Sequence, residues 1–184
     1  AALLNLGVLK DRRGDFNTAI DYFEKARVIS ERIGEELAIS YTEFSLGATY
    51  YKMEDFPKAE GYLKHAYTRL KRINAQGYFG YVFSFLSSLY ASLHNCEYAV
   101  RIAYLHVQNM KKVNSDVENG RTYLSVARAL SLCQNLSPDI KRRLDYIAEH
   151  AGIKEQTPIA FYKKAIEVSE GAHYINTIIP AHYR

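Results

Sequence analysis

Arg121 and Arg128 stand seven residues apart, so a helix would carry both on one face. Two guanidinium groups so placed suit a ligand carboxylate or phosphate through charge-assisted hydrogen bonds. The plainer alternative is solvated charge, with Arg121 pairing to Glu118 one turn back. Elsewhere the reactive side chains are scattered. His65, His94, His106, His150, His173 and His182 form no His-Glu-x-x-His pattern, and none accompanies a Ser or Cys in a nucleophile arrangement. A glycine-rich phosphate loop is missing. No catalytic residue, metal set or cofactor is implied, and the chain reads as a non-enzyme.

Cys96 and Cys133 read as small buried thiols, not as a disulfide framework or zinc site, which makes a reducing, cytoplasmic compartment the default. Net charge is +4 with pI about 8.9. The clusters Arg69-Lys71-Arg72 and Lys111-Lys112 fall near helix C-termini, where cations complement the dipole. Lys141-Arg142-Arg143 lies by a helix start and is a weak signal, so the balance weighs against nucleic acid. No apolar run reaches the ~20 residues that span a bilayer.

The elements that carry these residues repeat every 40 positions. Leu6-Gly7 recurs as Leu46-Gly47, Leu86-Ser87 and, weakly, Val126-Ala127. Asp15-Phe16 recurs as Asp55-Phe56, Asn95-Cys96 and Asn135-Leu136. Ala19 returns as Ala59 and Ala99, while Phe23 and Ala26 return as Leu63 and Ala66, then decay to Ala103 and His106. A fixed period in this range marks a solenoid. Each unit reads helix, turn, helix. The spacing predicts helices at about 1–13, 15–33, 36–53, 55–73, 76–93, 95–113, 116–133, 138–151 and 158–170. Asp15, Asp55 and Asn95 are placed as N-caps, Pro57 fits a first turn, Ser115 with Glu118 forms a capping box, and Ser137 and Thr157 each cap ahead of a proline. The last helix should bury Ile159, Tyr162 and Ile166 as a terminal cap. The tail from Ala172 to Arg184 has no period, although Tyr174, Ile175, Ile178 and Ile179 are apolar. The missing initiator Met and the clipped first helix suggest a piece of a longer protein.

The runs Leu6-Gly7, Asp15-Phe16, Ala19, Phe23, Ala26 and Leu46-Gly47, Tyr50-Tyr51, Asp55-Phe56, Ala59, Leu63, Ala66 resemble the tetratricopeptide repeat, in its long-repeat branch. The resemblance implies an all-α fold: a right-handed superhelical α-solenoid of antiparallel helix pairs. One such solenoid would fill residues 1–184, with units at about 1–34, 35–74, 75–114 and 115–151 and a capping helix and tail at 152–184. It also implies a concave groove lined by the first helix of each unit, which binds a peptide or helical segment of a partner protein. By position the groove takes Leu4, Asn5, Val8 and Asp11; Tyr41, Phe44, Ser45, Ala48 and Tyr51; Tyr81, Ser84, Phe85 and Ser88; and Arg121, Leu124, Ser125 and Arg128. The carboxylate clamp of chaperone-tail binders is absent, since Leu4, Val8, Ser45, Tyr81 and Phe85 hold those places.

The helix at 36–53 has two apolar stripes, Tyr41/Phe44/Ala48/Tyr51 and Leu46/Tyr50/Met53, where one suffices for a core. The second is either deeper core or an exposed adhesive face. The 16 tyrosines favour the exposed reading, because Tyr buries apolar area yet keeps a polar tip. In the groove, Tyr41, Phe44, Tyr51, Tyr81 and Phe85 would supply apolar contact. Asn5 and Ser45 would bond a ligand backbone, and Arg121 and Arg128 would take an acidic group. Two other readings stay open: a sensor or regulatory domain within a larger signalling or transcription-regulating protein, and a scaffold that forms a homo-oligomer through its C-terminal tail.

Overall fold

The computed structural model describes residues 2–110, 116–133 and 135–171. Among these the elements are helical: α1 (Ala2–Arg12), α2 (Phe16–Ile33), α3 (Glu36–Lys52), α4 (Phe56–Arg72), a 3-10 turn (Gln76–Tyr78), α5 (Phe79–Ser92), α6 (Cys96–Met110), α7 (Asp116–Leu132), α8 (Pro138–Ala151) and α9 (Pro158–Gly171). Each expected helix is present with its ends shifted by a few residues at most. The chain divides into two compact units, Ala1–Val82 and Phe83–Arg184.

The turns repeat as faithfully as the helices. Gly14, Glu54 and His94, 40 residues apart, all take positive φ, at 79°, 62° and 59°. After each, the backbone N–H of Asp15, Asp55 or Asn95 donates to the carbonyl of Lys10, Tyr50 or Tyr90 at 2.9–3.0 Å. This bond closes the helix in the Schellman manner and turns the chain back at once. Asp55 caps α4 as expected, accepting from the Lys58 N–H at 3.3 Å, and Asn95 accepts from Tyr98 at 3.3 Å. Thr157 caps α9 through the Ala160 N–H at 3.2 Å. Asp15 and Ser137 make no such bond. Asp15 instead accepts from Lys10 Nζ at 3.1 Å, and the Ser137 hydroxyl is buried without a partner. Ser115 lies outside the described residues.

In the first unit α1 packs on α2, α2 on α3, and α3 on α4. The glycines of the repeat set these distances. A Cβ on Gly7 would lie 2.5 Å from the Phe23 ring, and one on Gly47 would lie 2.8 Å from Leu63. Bare backbone therefore lets each first helix seat the large residue of its own second helix. Ala19 and Phe23 meet Leu46 in a core to which Leu4, Val8, Ile20, Tyr50 and Tyr62 add their flanks. The alanines at 19, 26, 59 and 66 are buried as their recurrence predicts.

In the second unit α6 packs on α7 and α8, and α7 on α9. Ala99, Ala103 and His106 are buried, as are Ile140, Leu144, Ile147 and Ala148. The α9 register is corrected. Among its described side chains Phe161 and Ala165 are fully buried, while Ile159 is 66% and Ile166 38% exposed and Tyr162 is half-buried. Two apolar stripes run along this helix, and contact with α7 selects the one that periodicity did not favour.

Cys96 and Cys133 are also corrected. They form a disulfide, Cα–Cα 6.5 Å, that ties the first residue of α6 to the end of α7. Thirty-seven positions separate them in sequence, so spacing gave no sign of the contact. The cytoplasmic setting inferred from unlinked thiols loses that support, since disulfides persist in oxidising surroundings. Among the described residues, no helix is long and apolar enough to cross a membrane.

Candidate functional site

α3 owes its unusual surface to its position between two second helices. Its buried residues, Ile39, Ser40, Thr42, Glu43, Ser45, Leu46, Gly47, Ala48 and Thr49, run round most of the helix. Small hydroxyl residues are tolerated there because they bond within the helix. Ser40, Thr42 and Ser45 donate to the carbonyls of Glu36, Ala38 and Tyr41 at 2.8–2.9 Å. One strip of α3 escapes this burial, and Tyr41, 40% exposed, and half-buried Phe44 stand on it.

The aromatic residues on this strip form a chain. Tyr41 meets Phe44 edge-on with ring centroids 6.1 Å apart, Phe44 meets Tyr81 at 6.1 Å, and Tyr81 meets Tyr78 at 6.5 Å. Leu37, Ser40, Leu70 and Val82 complete a shallow recess with these four rings, partly open to solvent. The Ser40 hydroxyl is already committed to Glu36, so the walls offer carbon and the tyrosine rims. With a cavity volume of about 10 Å³, far below the ~300 Å³ of ordinary small-molecule sites, the recess is a shallow crevice that an apolar surface can cover. The 3-10 turn after α4 brings Tyr78 to this wall. Periodicity did not place Tyr78 there, because the turn interrupts the helical register.

The other groove candidates are distributed differently. Leu4 and Val8 flank the core of the first unit, Ala48 is buried, and Tyr51 pairs with Phe56 at 6.1 Å. Asp11 accepts from the Thr49 hydroxyl at 2.9 Å and from Lys52. Ser45 is 7% exposed and Phe85 6%, so both lie on a covered edge of their helices and not on the open strip. Asn5, on the same edge by register, is exposed on α1. Arg121 and Arg128 belong to the second unit. Arg121 stacks on the Phe85 ring at 4.0 Å and donates to Ser84 Oγ at 3.4 Å, while Arg128 donates to Ser92 Oγ at 2.8 Å. Both therefore join α7 to α5. Ser84, Ser88, Leu124 and Ser125 are buried. The Glu118 side chain lies outside the described residues.

Two of the basic clusters also have local partners, and Lys111-Lys112 lies outside the described residues. Arg69 and Arg72 pair with Glu36, and Arg101, Arg142 and Arg143 gather round Asp139 at 3.0–3.7 Å. The Arg143 hydrogen bond, with the neighbouring guanidinium charges, holds the Asp139 carboxyl below its usual range. Among the described residues, no group of three or more His, Cys, Asp or Glu side chains is placed to hold a metal ion.

Paired helices at a 40-residue register, closed by identical turns, define an all-α solenoid of helix-pair repeats. The family profile of the tetratricopeptide repeat matches residues 1–72, and that segment belongs to the tetratricopeptide repeat family. A similar solved structure is a Signal Transduction ATPase with Numerous Domains (STAND) protein with a tetratricopeptide repeat sensor, from Pyrococcus horikoshii. The two share 21% identity at a TM-score of 0.59, over 96% of this chain and 29% of that one. The present chain thus spans under a third of the length of that protein, and the likeness is one of fold. No curated protein matches the sequence.

Proposed function

We propose that this chain is a protein-interaction module that takes a segment of a partner protein on the exposed strip of α3. The observation that carries this reading is the recess framed by Tyr41, Phe44, Tyr78 and Tyr81. An apolar side chain of the partner packs over it, and the tyrosine rims exclude water round the contact, as at the centres of hot-spot interfaces. Leu4, Val8 and Tyr51 extend the surface along the first helices. Ser45 and Phe85, being covered, take no part. Arg121 and Arg128 stand on the second unit and are not needed for this anchor. Self-association through the tail depends on residues 174–179, which lie outside the described residues.

Panning a displayed peptide library against the chain, with the Tyr41→Ala/Phe44→Ala double variant as counter-selection, tests the reading. A shared apolar motif should emerge, and its affinity should fall by more than about tenfold in the variant. Equal binding to both proteins would exclude the recess.

A second reading is favoured by the solved neighbour, whose repeats are described as a sensor. The module would then serve as the sensing part of a larger signalling protein, with the same recess receiving the signal. Identifying a nucleotide-hydrolysing or DNA-binding neighbour in the parent polypeptide would support it.

A further inference from the structure

The 37-residue spacing of Cys96 and Cys133 recurs along the chain. One and two periods earlier the same positions hold Phe56 with Leu93 and Phe16 with Met53. The first member of each pair opens the second helix of a unit, and the second member follows the first helix of the next unit. The earlier copies place large carbon side chains there. The last copy places two small sulfur residues and joins them by a bond, which fastens α6 to the end of α7.

The two sulfurs are not equivalent. Cys96 is 3% exposed, whereas Cys133 is half-buried. Cys133 donates its backbone N–H to the Ala129 carbonyl at 3.0 Å, so it extends the last turn of α7. A thiolate must approach a disulfide sulfur in line with the bond it breaks, so access selects the sulfur attacked. Cys96 is the first residue of α6, where the helix dipole favours a departing thiolate. Burial opposes that effect at Cys96, so access, not leaving-group acidity, sets the direction.

We propose that Cys133 is a thiol-exchange site, and that a dithiol reductant acting there opens a clamp between successive helix pairs. One thiolate of the dithiol attacks Cys133 Sγ. A bond forms between those two sulfurs, the Cys96–Cys133 bond breaks, and its electron pair leaves on Cys96 Sγ, which takes a proton. The second thiolate of the dithiol then attacks the dithiol sulfur of this mixed disulfide and displaces Cys133 Sγ, which is protonated in turn. The dithiol gives up two electrons and two protons and becomes a disulfide, and the protein receives both. The freed thiols fill less space than Phe with Met or Leu. The reduced joint therefore has neither the bond nor the bulk of the earlier copies, and the last turn of α7 is released from α6.

The test adds mercaptoethanol to the oxidised full chain, quenches with N-ethylmaleimide and reads both cysteines by peptide mass spectrometry. The mercaptoethanol adduct is expected on Cys133 and the maleimide on Cys96, more than about tenfold over the reverse. The rate should rise in proportion to mercaptoethanol and stay unchanged in urea below the unfolding transition. With a dithiol, hydrogen exchange at the Cys133 amide should speed more than about tenfold. Cys96→Phe/Cys133→Leu, which copies the preceding pair, should show no such response. An adduct carried equally or mainly by Cys96 overturns the proposal. So does a rate that saturates at the rate of global unfolding, because the link would then open only in the unfolded chain. An unchanged Cys133 amide on reduction overturns the clamp as well.

Discussion

Arg69 on α4 grips Glu43 on α3 with its Nε 3.0 Å from both carboxylate oxygens. The Glu43 side chain is only 5% exposed, and the same guanidinium reaches Glu36 at 3.0 Å. Forty residues earlier the two positions are Leu3 and Ile29, which line one shallow apolar recess. The repeat thus places carbon at these two positions in its first copy and a paired acid and base in its second. Removing one partner strands a buried charge, so Arg69→Met should lower stability by about 3 kcal/mol. Glu43→Leu/Arg69→Ile, which copies the first repeat, should lie within about 1 kcal/mol of the parent. Urea denaturation of the three proteins measures both.

The close helix contacts predict opposite results for alanine at different glycines. Gly47→Ala would push its Cβ into Leu63 and toward the Leu63 backbone nitrogen at 3.1 Å. The expected loss is about 1–3 kcal/mol, the usual range for overpacking. Gly61 lies within α4 with open space around its Cβ position. Gly61→Ala should therefore stabilise the protein by about 0.5–1 kcal/mol through helix propensity. A melting temperature that rises for both substitutions would refute the close-approach account of Gly47.

Glu54 adopts the left-handed conformation that Gly14 adopts at the equivalent turn. A side chain there is strained where glycine is not. Glu54→Gly should raise stability by about 0.5–1 kcal/mol, provided the αL turn is kept. Thermal melting gives the sign directly.

The Cys96–Cys133 link closes a loop that contains α6 and α7. By chain entropy a loop of this length contributes about 4 kcal/mol. A dithiol reductant should lower the melting temperature, and Cys96→Ser/Cys133→Ser should melt at the reduced value with or without reductant. Thiol titration of the oxidised, unfolded chain should detect no free cysteine. Two free thiols in that titration would contradict the bond.

Tyr62 donates its hydroxyl to Glu24 at 2.8 Å and stacks on Tyr50 with ring centroids 5.6 Å apart. Burial, then the Glu24 hydrogen bond, pushes its pKa up to about 12. Between about 10, where an unfolded tyrosine ionises, and 12 the folded chain holds the extra proton. Stability must therefore fall as pH rises through that window. A tyrosinate absorbance titration should show one late component that Tyr62→Phe removes. The substitution should also flatten the alkaline loss of stability. A Tyr62→Phe titration that keeps the late component would assign it elsewhere.

The 40-residue period by itself determined the helix order, the alanine seats and the capping role of Asp55 and Asn95. These depend on local backbone chemistry and on small residues at fixed spacing, which sequence records directly. It also singled out Tyr41 and Phe44, because two apolar stripes on one helix exceed what its core needs, whereas Tyr81 entered through the family resemblance. Tertiary structure decided which stripe of each helix is covered. Ser45 and Phe85 looked open by register but sit on the edge of α3 and α5 that is buried, whereas Asn5 and Leu6 of α1 occupy the same edge and are exposed. Phe161 and Ala165 displaced the expected face of α9 for the same reason. The Cys96–Cys133 bond and the Arg69–Glu43 contact join residues on different helices, and no local pattern encodes such a meeting. Periodicity fixes a helix's faces, but which face is buried depends on what stands beside it, and only packing supplies that.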